Sequence, residues 1–187
     1  MAQSSSIRSN AYMSSVPPCM DREQPLERQL HSIHFRPVRP DDWRKLQRFH
    51  KRLSPETVER RFHAAKRELS EPLAHTFTQI DGVNDAAVVA TTGTRGRIIG
   101  VARYCRMTST CAEVAFVVED AYQGHGIGRR LMRHLRDLAL QNGVTEFLAY
   151  VLSGNVPMFH LLEEVGTTHT HFDRGECEVL VDLMNRP

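Results

Sequence analysis

The stretch from Cys111 to Asn142 constrains the fold more than any other. It opens with a short apolar run, Val114 to Val118, rich in β-branched residues and bounded by charge, which predicts a buried strand. Three glycines at alternate positions follow, Gly124, Gly126 and Gly128. Ile127, Leu131, Leu135 and Leu138 then recur at helical spacing, with Arg129, Arg130, Arg133, Arg136 and Asp137 on the other faces. Strand, glycine loop and helix, in that order, present several backbone N–H groups to one anion. The first N–H groups of a helix lack internal partners, and the helix dipole adds positive potential there. Glycine lets the backbone approach a phosphate closely and adopt turns that a β-carbon opposes. The spacing is not that of a dinucleotide-binding Gly-x-Gly-x-x-Gly, since the third glycine comes one residue early. Nor is it a P-loop, since Arg129 stands where Lys-Ser/Thr is required. What remains is Gln123-x-x-Gly126-x-Gly128 directly after a strand.

A chain of 187 residues predicts one domain with a single core. A formal net charge of +2 is too small to argue for nucleic acid or an anionic membrane surface. No apolar run reaches transmembrane length. Cys19, Cys105, Cys111 and Cys177 form no Cys-x-x-Cys pair, which argues against a zinc site and fits a reduced, cytoplasmic protein. His169-x-His171 shares one face of an expected strand, but no further ligand stands at suitable spacing, so no metal is expected.

Residues 1–30 hold Ser-Ser-Ser and Pro17-Pro18 with almost no aliphatic periodicity, and read as a disordered extension without a secretory signal. A single domain is expected over residues 31–187. Ser32 to Val38 alternates as a half-buried strand. Pro40-Asp41-Asp42 offers a turn and a cap for a helix bearing Trp43, Leu46 and Phe49. Ser54-Pro55-Glu56 starts a second helix, carrying Val58, Phe62 and Ala65, and Glu71 to Gln79 suggests a third. Ala86–Thr92, Arg97–Met107 and Ala112–Val118 predict an antiparallel meander. After the central helix, which Asn142-Gly143 ends, come a strand over Glu146–Leu152, a helix over Asn155–Val165 and a hairpin of His169–Phe172 with Glu176–Leu183, turned by Asp173-Arg174-Gly175. The class is α/β with a mixed, mostly antiparallel sheet.

The loop after its Val-Ala-Phe-Val-Val strand resembles the pyrophosphate motif (Arg/Gln)-x-x-Gly-x-(Gly/Ala) of the GNAT superfamily of acyl-CoA-dependent N-acyltransferases, whose fold has this element order and splays its sheet around the cofactor. The resemblance covers about Phe35 to Met184. Phe35-Arg-Pro-Val-Arg-Pro-Asp41, Leu53-Ser54-Pro55 with Arg60-Arg61-Phe62, Gly100-Val-Ala-Arg-Tyr104, Ala112-Glu113-Val-Ala-Phe-Val-Val118 and Asn155-Val-Pro-Met158 are similar to the catalytic domain of bacterial protein-lysine acetyltransferases. Members of that family acetylate a lysine of acyl-CoA synthetases, and some carry a cyclic-nucleotide or an ADP-forming-synthetase domain. This sequence shows neither, so the resemblance gives no ground for expecting cyclic-nucleotide regulation here.

Acetyl transfer needs an unprotonated amine, whereas lysine has a reference pKa of about 10.4, so a base or a desolvated site is required. Glu113 is the candidate base. Its neighbours Ala112 and Val114 are apolar, and desolvation among them would raise its pKa; a surface glutamate paired with Arg103 is the plainer alternative. The matching family glutamate acts directly or through water. The resemblance further implies that backbone groups of Phe116, Val117 and Val118 meet the pantetheine arm of acetyl-CoA. The N–H groups of the loop, Gln123, Gly124, His125, Gly126, Ile127, Gly128 and Arg129, would hold the pyrophosphate, with Arg129 and Arg130 adding charge. Asn155 would contact CoA, its plain alternative being a helix N-cap. Many superfamily members place an acidic tyrosine seven residues after that asparagine; here the position is Leu162, and no general acid is assigned. The implied activity is acetyl transfer from acetyl-CoA to an amine, a protein lysine of an acyl-CoA synthetase first. The alternatives are a small amine (polyamine, amino acid or aminoglycoside) as acceptor, or a non-catalytic acyl-CoA-sensing module.

Overall fold

A computed structural model describes residues 30, 32–62, 68–173 and 175–185. The expected extension lies outside the described residues except for Leu30, which packs against the core. Cys19, Ala65, Arg174 and the side chain of Phe62 also lie outside them.

The strands are β1 (His34–Pro37), β2 (Asp85–Thr92), β3 (Arg97–Arg106), β4 (Cys111–Val118), β5 (Glu146–Leu152), β6 (Thr167–Asp173) and β7 (Glu176–Asp182). The helices are α1 (Trp43–His50), α2 (Pro55–Phe62), α3 (Glu71–Thr78), α4 (Ile127–Gln141) and α5 (Val156–Glu163). One sheet runs β1-β2-β3-β4-β5-β7-β6. Every neighbouring pair is antiparallel except β4 and β5. That exception follows from α4, which carries the chain back across the sheet so that β5 starts at the same end as β4.

Side chains alternate across each strand. Ala112, Val114 and Val118 of β4, Ala102 and Tyr104 of β3 and Val88 of β2 bury against Leu131, Met132 and Leu135 of α4. Each of those three helix side chains is fully buried and contributes roughly 1.5–3 kcal/mol by leaving water. Val89 and Ile98 face the other way and form a smaller core with Leu46 and Phe49 of α1 and Val58 of α2.

Two acids behave differently from a local reading. Asp42 was expected to help cap α1, but it makes no side-chain cap bond. Its carboxylate is fully buried and takes both arms of Arg36 (2.6 and 2.8 Å) and the N–H of Arg39 (3.0 Å). A charge-assisted fork from a neighbouring strand outcompetes a helix N–H. Glu119, directly after β4, is buried and bound by Arg52 Nε at 3.0 Å and by Arg97. Arg52 also donates to the Ile98 carbonyl at 2.7 Å, so this cluster fixes the corner between α1 and α2 onto the end of β4. Ser54 does cap α2, its hydroxyl accepting the Thr57 N–H at 3.2 Å.

Candidate active site

β4 and β5 pair over only three positions, Cys111–Glu146, Ala112–Phe147 and Glu113–Leu148. Beyond Glu113 the strands diverge, while β4 stays bonded to β3 and β5 to β7. The β5-facing edge of Val114 to Val118 therefore has no strand partner. A buried backbone without partners is costly, and here the edge opens into a cleft of about 580 Å³ lined by Val114, Ala115, Phe116, Val117 and Val118.

The glycine loop closes one end. Gly124 (φ 75°) and Gly126 (φ 74°) take the left-handed conformation, and Gly126 is the N-cap of α4. This geometry is open to glycine at little cost, and it leaves the first N–H groups of α4 to the cleft. Gly128 lies in the first turn, where a β-carbon would stand 3.5 Å from Phe116 and 3.6 Å from Leu161, so loop, strand and α5 converge there. Gln123 is a fastener: its Nε2 donates to the Val118 carbonyl (3.0 Å) and to Thr57 Oγ1 (3.2 Å). Thr57 Oγ1 and Ser54 Oγ in turn donate to Asp120 Oδ1 at 2.7 and 2.6 Å, and Ser54 N–H to Oδ2 at 2.9 Å. The loop is thus tied to the end of β4 and to the start of α2.

Of the residues expected at the site, Phe116, Val117, Val118, Gln123, Gly124, Gly126, Ile127, Gly128, Arg129 and Asn155 line the cleft. Ile127 is also core, so its part is its backbone. His125 is exposed and off the lining. Arg129 is in an ion pair with Glu164 across the cleft (2.5 Å), whereas Arg130 stacks over Phe35 at 4.3 Å, away from it. Asn155 is the N-cap residue of α5 by position but makes no side-chain cap bond. Leu162 is fully buried in the core. Tyr104 is buried as well, its hydroxyl donating to the Val83 carbonyl (2.9 Å) and accepting from Asn142 (2.7 Å), so it does not reach the cleft.

Glu113 departs from expectation. Its side chain is exposed and is not part of the cleft wall. The apolar neighbours Ala112 and Val114 point to the opposite face. Burial therefore does not desolvate it. Nor is Arg103 its ion-pair partner: Arg103 faces Asp85 at 3.6 Å and stacks on Phe77 at 4.5 Å. Arg61, on α2, lines the cleft; burial, the neighbouring Arg103 and, in opposition, Glu113 leave its pKa at about 10. Arg61 thus lies within electrostatic reach of both Glu113 and Arg103, and is the one of the three on the cleft wall.

Sequence reasoning missed Tyr150, Thr57, Arg60, Arg61, Tyr122, Pro157, Met158, His160, Leu161 and Glu164, all of which line the cleft. Tyr150 was findable, since it lies two residues beyond Leu148 on the face of β5 that Glu113 occupies on β4. No group of three or more His, Cys, Asp or Glu able to hold a metal occurs among the described residues. No helix among them is long and apolar enough to cross a membrane.

Residues 43–167 match the acetyltransferase (GNAT) family. Acetyltransferase Pat of Mycolicibacterium smegmatis is 35% identical over 153 residues, which is 81% of this chain and 46% of the relative. The chain therefore spans about half the length of that protein. Acetyltransferase PA5475 of Pseudomonas aeruginosa is 34% identical over 138 residues, 72% of this chain and 74% of the relative. Among solved structures, the GNAT domain of S. lividans PAT superposes with a TM-score of 0.75 at 33% identity, covering 81% of this chain and 90% of that one.

Proposed function

The chain belongs to the acetyltransferase (GNAT) family, and from that premise we propose that it transfers an acetyl group from acetyl-CoA to a protein lysine, with Glu113 as the general base. The observation that carries the reading is the unpaired edge of β4. It runs from Val114, one residue past Glu113 at the last paired position, to the glycine loop, so the cleft begins beside the strand position that bears a carboxylate and ends at a phosphate site.

The residues divide the work. N–H groups from Gly124 to Arg129 and the α4 dipole hold the pyrophosphate. The backbone groups of Phe116 and the N–H of Val118, on the edge away from β3, meet the amide-bearing pantetheine arm and polarise the thioester carbonyl, with Val117 lining the same wall. Asn155, with its side chain unspent on the cap, adds a contact to CoA. Because Glu113 is exposed and stands outside the cleft wall, it takes the lysine proton through a water rather than directly. The neutral amine attacks the carbonyl, and the CoA thiolate leaves without a tyrosine acid, the usual position being Leu162 in the core. The acceptor is a lysine of an acyl-CoA synthetase, as the family likeness suggests.

The test compares the wild type with Glu113→Gln, using labelled acetyl-CoA, a purified acyl-CoA synthetase and a panel of polyamines, amino acids and aminoglycosides, with CoA titrated in parallel. The expected result is unchanged CoA binding and transfer to the synthetase slowed about a hundredfold or more. Transfer to a small amine alone would replace the lysine reading. Full activity in the variant would remove Glu113 as base. One observation favours a second reading, an acyl-CoA sensor without catalysis: Glu113 lies off the cleft wall. CoA binding without transfer to any acceptor would select it.

A further inference from the structure

A carboxylate stands at the phosphate end of the cleft. Glu164, at the C-terminal end of α5, lines the cleft together with Arg129 in the first turn of α4. Its Oε1 accepts a hydrogen bond from Nη2 of Arg129 at 2.5 Å, and its Oε2 lies 2.5 Å from Nε as an ion-pair contact without hydrogen-bond geometry, both on one edge of the guanidinium. The Arg129 side chain is 53% exposed and that of Glu164 31%, with its Oε2 buried, so the pair sits at the rim of the cleft, partly open to solvent. As a unit it is neutral, directly beside the loop that has to receive phosphate charge.

We propose that Glu164 is an internal competitor for Arg129 that sets the affinity for CoA. It occupies the guanidinium edge in the empty protein, gives it up to a CoA phosphate on binding, and takes it back as product CoA departs. This inference rests on the reading of the cleft as a CoA-ester site.

Three physical points support the exchange. Carboxylate and phosphate both match the same planar fork, so one edge cannot serve both. A partly exposed ion pair held by a single hydrogen bond is weak enough to exchange readily. A carboxylate left beside a bound phosphate repels it, so the cost of displacing Glu164 includes its own charge as well as the lost pair. For an enzyme that must release CoA each turnover, a built-in counter-anion limits product retention.

The experiment is calorimetric titration of the full chain with CoA, which needs no acceptor and no activity. The variants are Glu164→Gln, Arg129→Ala and the double substitution. Glu164→Gln keeps the shape and removes the charge. It should bind CoA about three- to tenfold tighter, and product inhibition by CoA should strengthen in proportion. The gain should shrink as salt rises, because the pair and the repulsion are screened at the rim. Arg129→Ala should bind CoA more weakly, and in that background Glu164→Gln should recover much less than it does in the wild type. Equal or weaker CoA binding by Glu164→Gln would overturn the proposal and make Glu164 an orienting partner. An equal gain with and without Arg129 would also overturn it, leaving simple repulsion. If the wild type binds no CoA, the cofactor reading itself fails and the inference falls with it. If the wild type binds and Glu164→Gln changes nothing, only the inference fails.

Discussion

Asp120 joins the approach to the glycine loop to the first turn of α2, and replacing it with asparagine tests whether that joint matters. Asparagine keeps one oxygen for the Ser54 and Thr57 hydroxyls, now without charge. At the second position its amide confronts the Ser54 N–H, donor against donor, where a 2.9 Å bond stood. One charge-assisted bond is lost and two are weakened, about 1.5–3 kcal/mol in all, with partial exposure favouring the lower end. For a chain of this size that is a fall in Tm of about 3–12 °C. Burial opposes ionisation of Asp120, but the hydrogen bonds from Ser54 and Thr57 outweigh it and hold the carboxyl below its ordinary value. A depressed pKa means that the folded state takes up the proton less readily than the unfolded chain. The contribution is therefore whole above the ordinary aspartate value of about 3.9 and disappears as pH falls through the lower folded value. Thermal unfolding of both proteins at pH 7, 5 and 3 checks this. The gap should be full at pH 7 and 5 and should narrow at pH 3. An equal gap at every pH would refute the electrostatic account, and no gap at pH 7 would refute the joint. Because Thr57 also accepts from Gln123, the Michaelis constant for acetyl-CoA should rise about threefold in the variant.

Three further substitutions concern the same corner. Gly126→Ala puts a β-carbon on a residue at φ 74°, so it should cost about 1–2 kcal/mol and weaken CoA binding by displacing the cap of α4. Gly128→Ala, facing only ordinary contacts at 3.5 Å and beyond, should keep binding and leave stability level or up to about 1 kcal/mol higher; paired denaturation and CoA titrations separate the two. Glu119→Gln removes the charge that Arg52 and Arg97 share in a buried place, and should cost about 3 kcal/mol in urea denaturation.

The β4–loop–α4 unit and the bounds of nearly every strand were legible because their signals are local: period two in the strands, period 3.6 in the helix, glycine at the turns. The antiparallel meander and the terminal hairpin followed from short turns. Errors arose where a partner is distant or a face was misjudged. Ala112 and Val114 made Glu113 look buried, but strand neighbours at i±1 lie on the other face, and the decisive neighbours are Cys105 and Leu148 across the strands. Asp42 looked like a cap because its fork partner belongs to β1. The Arg129–Glu164 pair spans 35 residues, with no local pattern to announce it.

The divergence of β4 and β5 explains why so much of the site could be read from one stretch. Each strand keeps a complete ladder on its outer side, β4 over seven positions with β3 and β5 over seven with β7, and they share three with each other. The sheet is therefore two intact halves joined at Glu113 and Leu148. On the β5-facing edge of Val114 to Val118 only the Val118 carbonyl is met, by Gln123; the rest must find donors and acceptors elsewhere, and on the proposed reading an extended ligand bearing amide groups supplies them in the manner of an added strand. The glycine loop follows β4 directly, so on the proposed reading the ligand's anion falls at one end of that edge and the residue at the joint falls at the other. Strand sequence, splay and loop thus fix the line along which a ligand lies. Glu113, Arg61 and Tyr150 belong to β4, α2 and β5, and on the proposed reading the acceptor enters among them; that is the region the contiguous sequence describes least, because three separate elements build it.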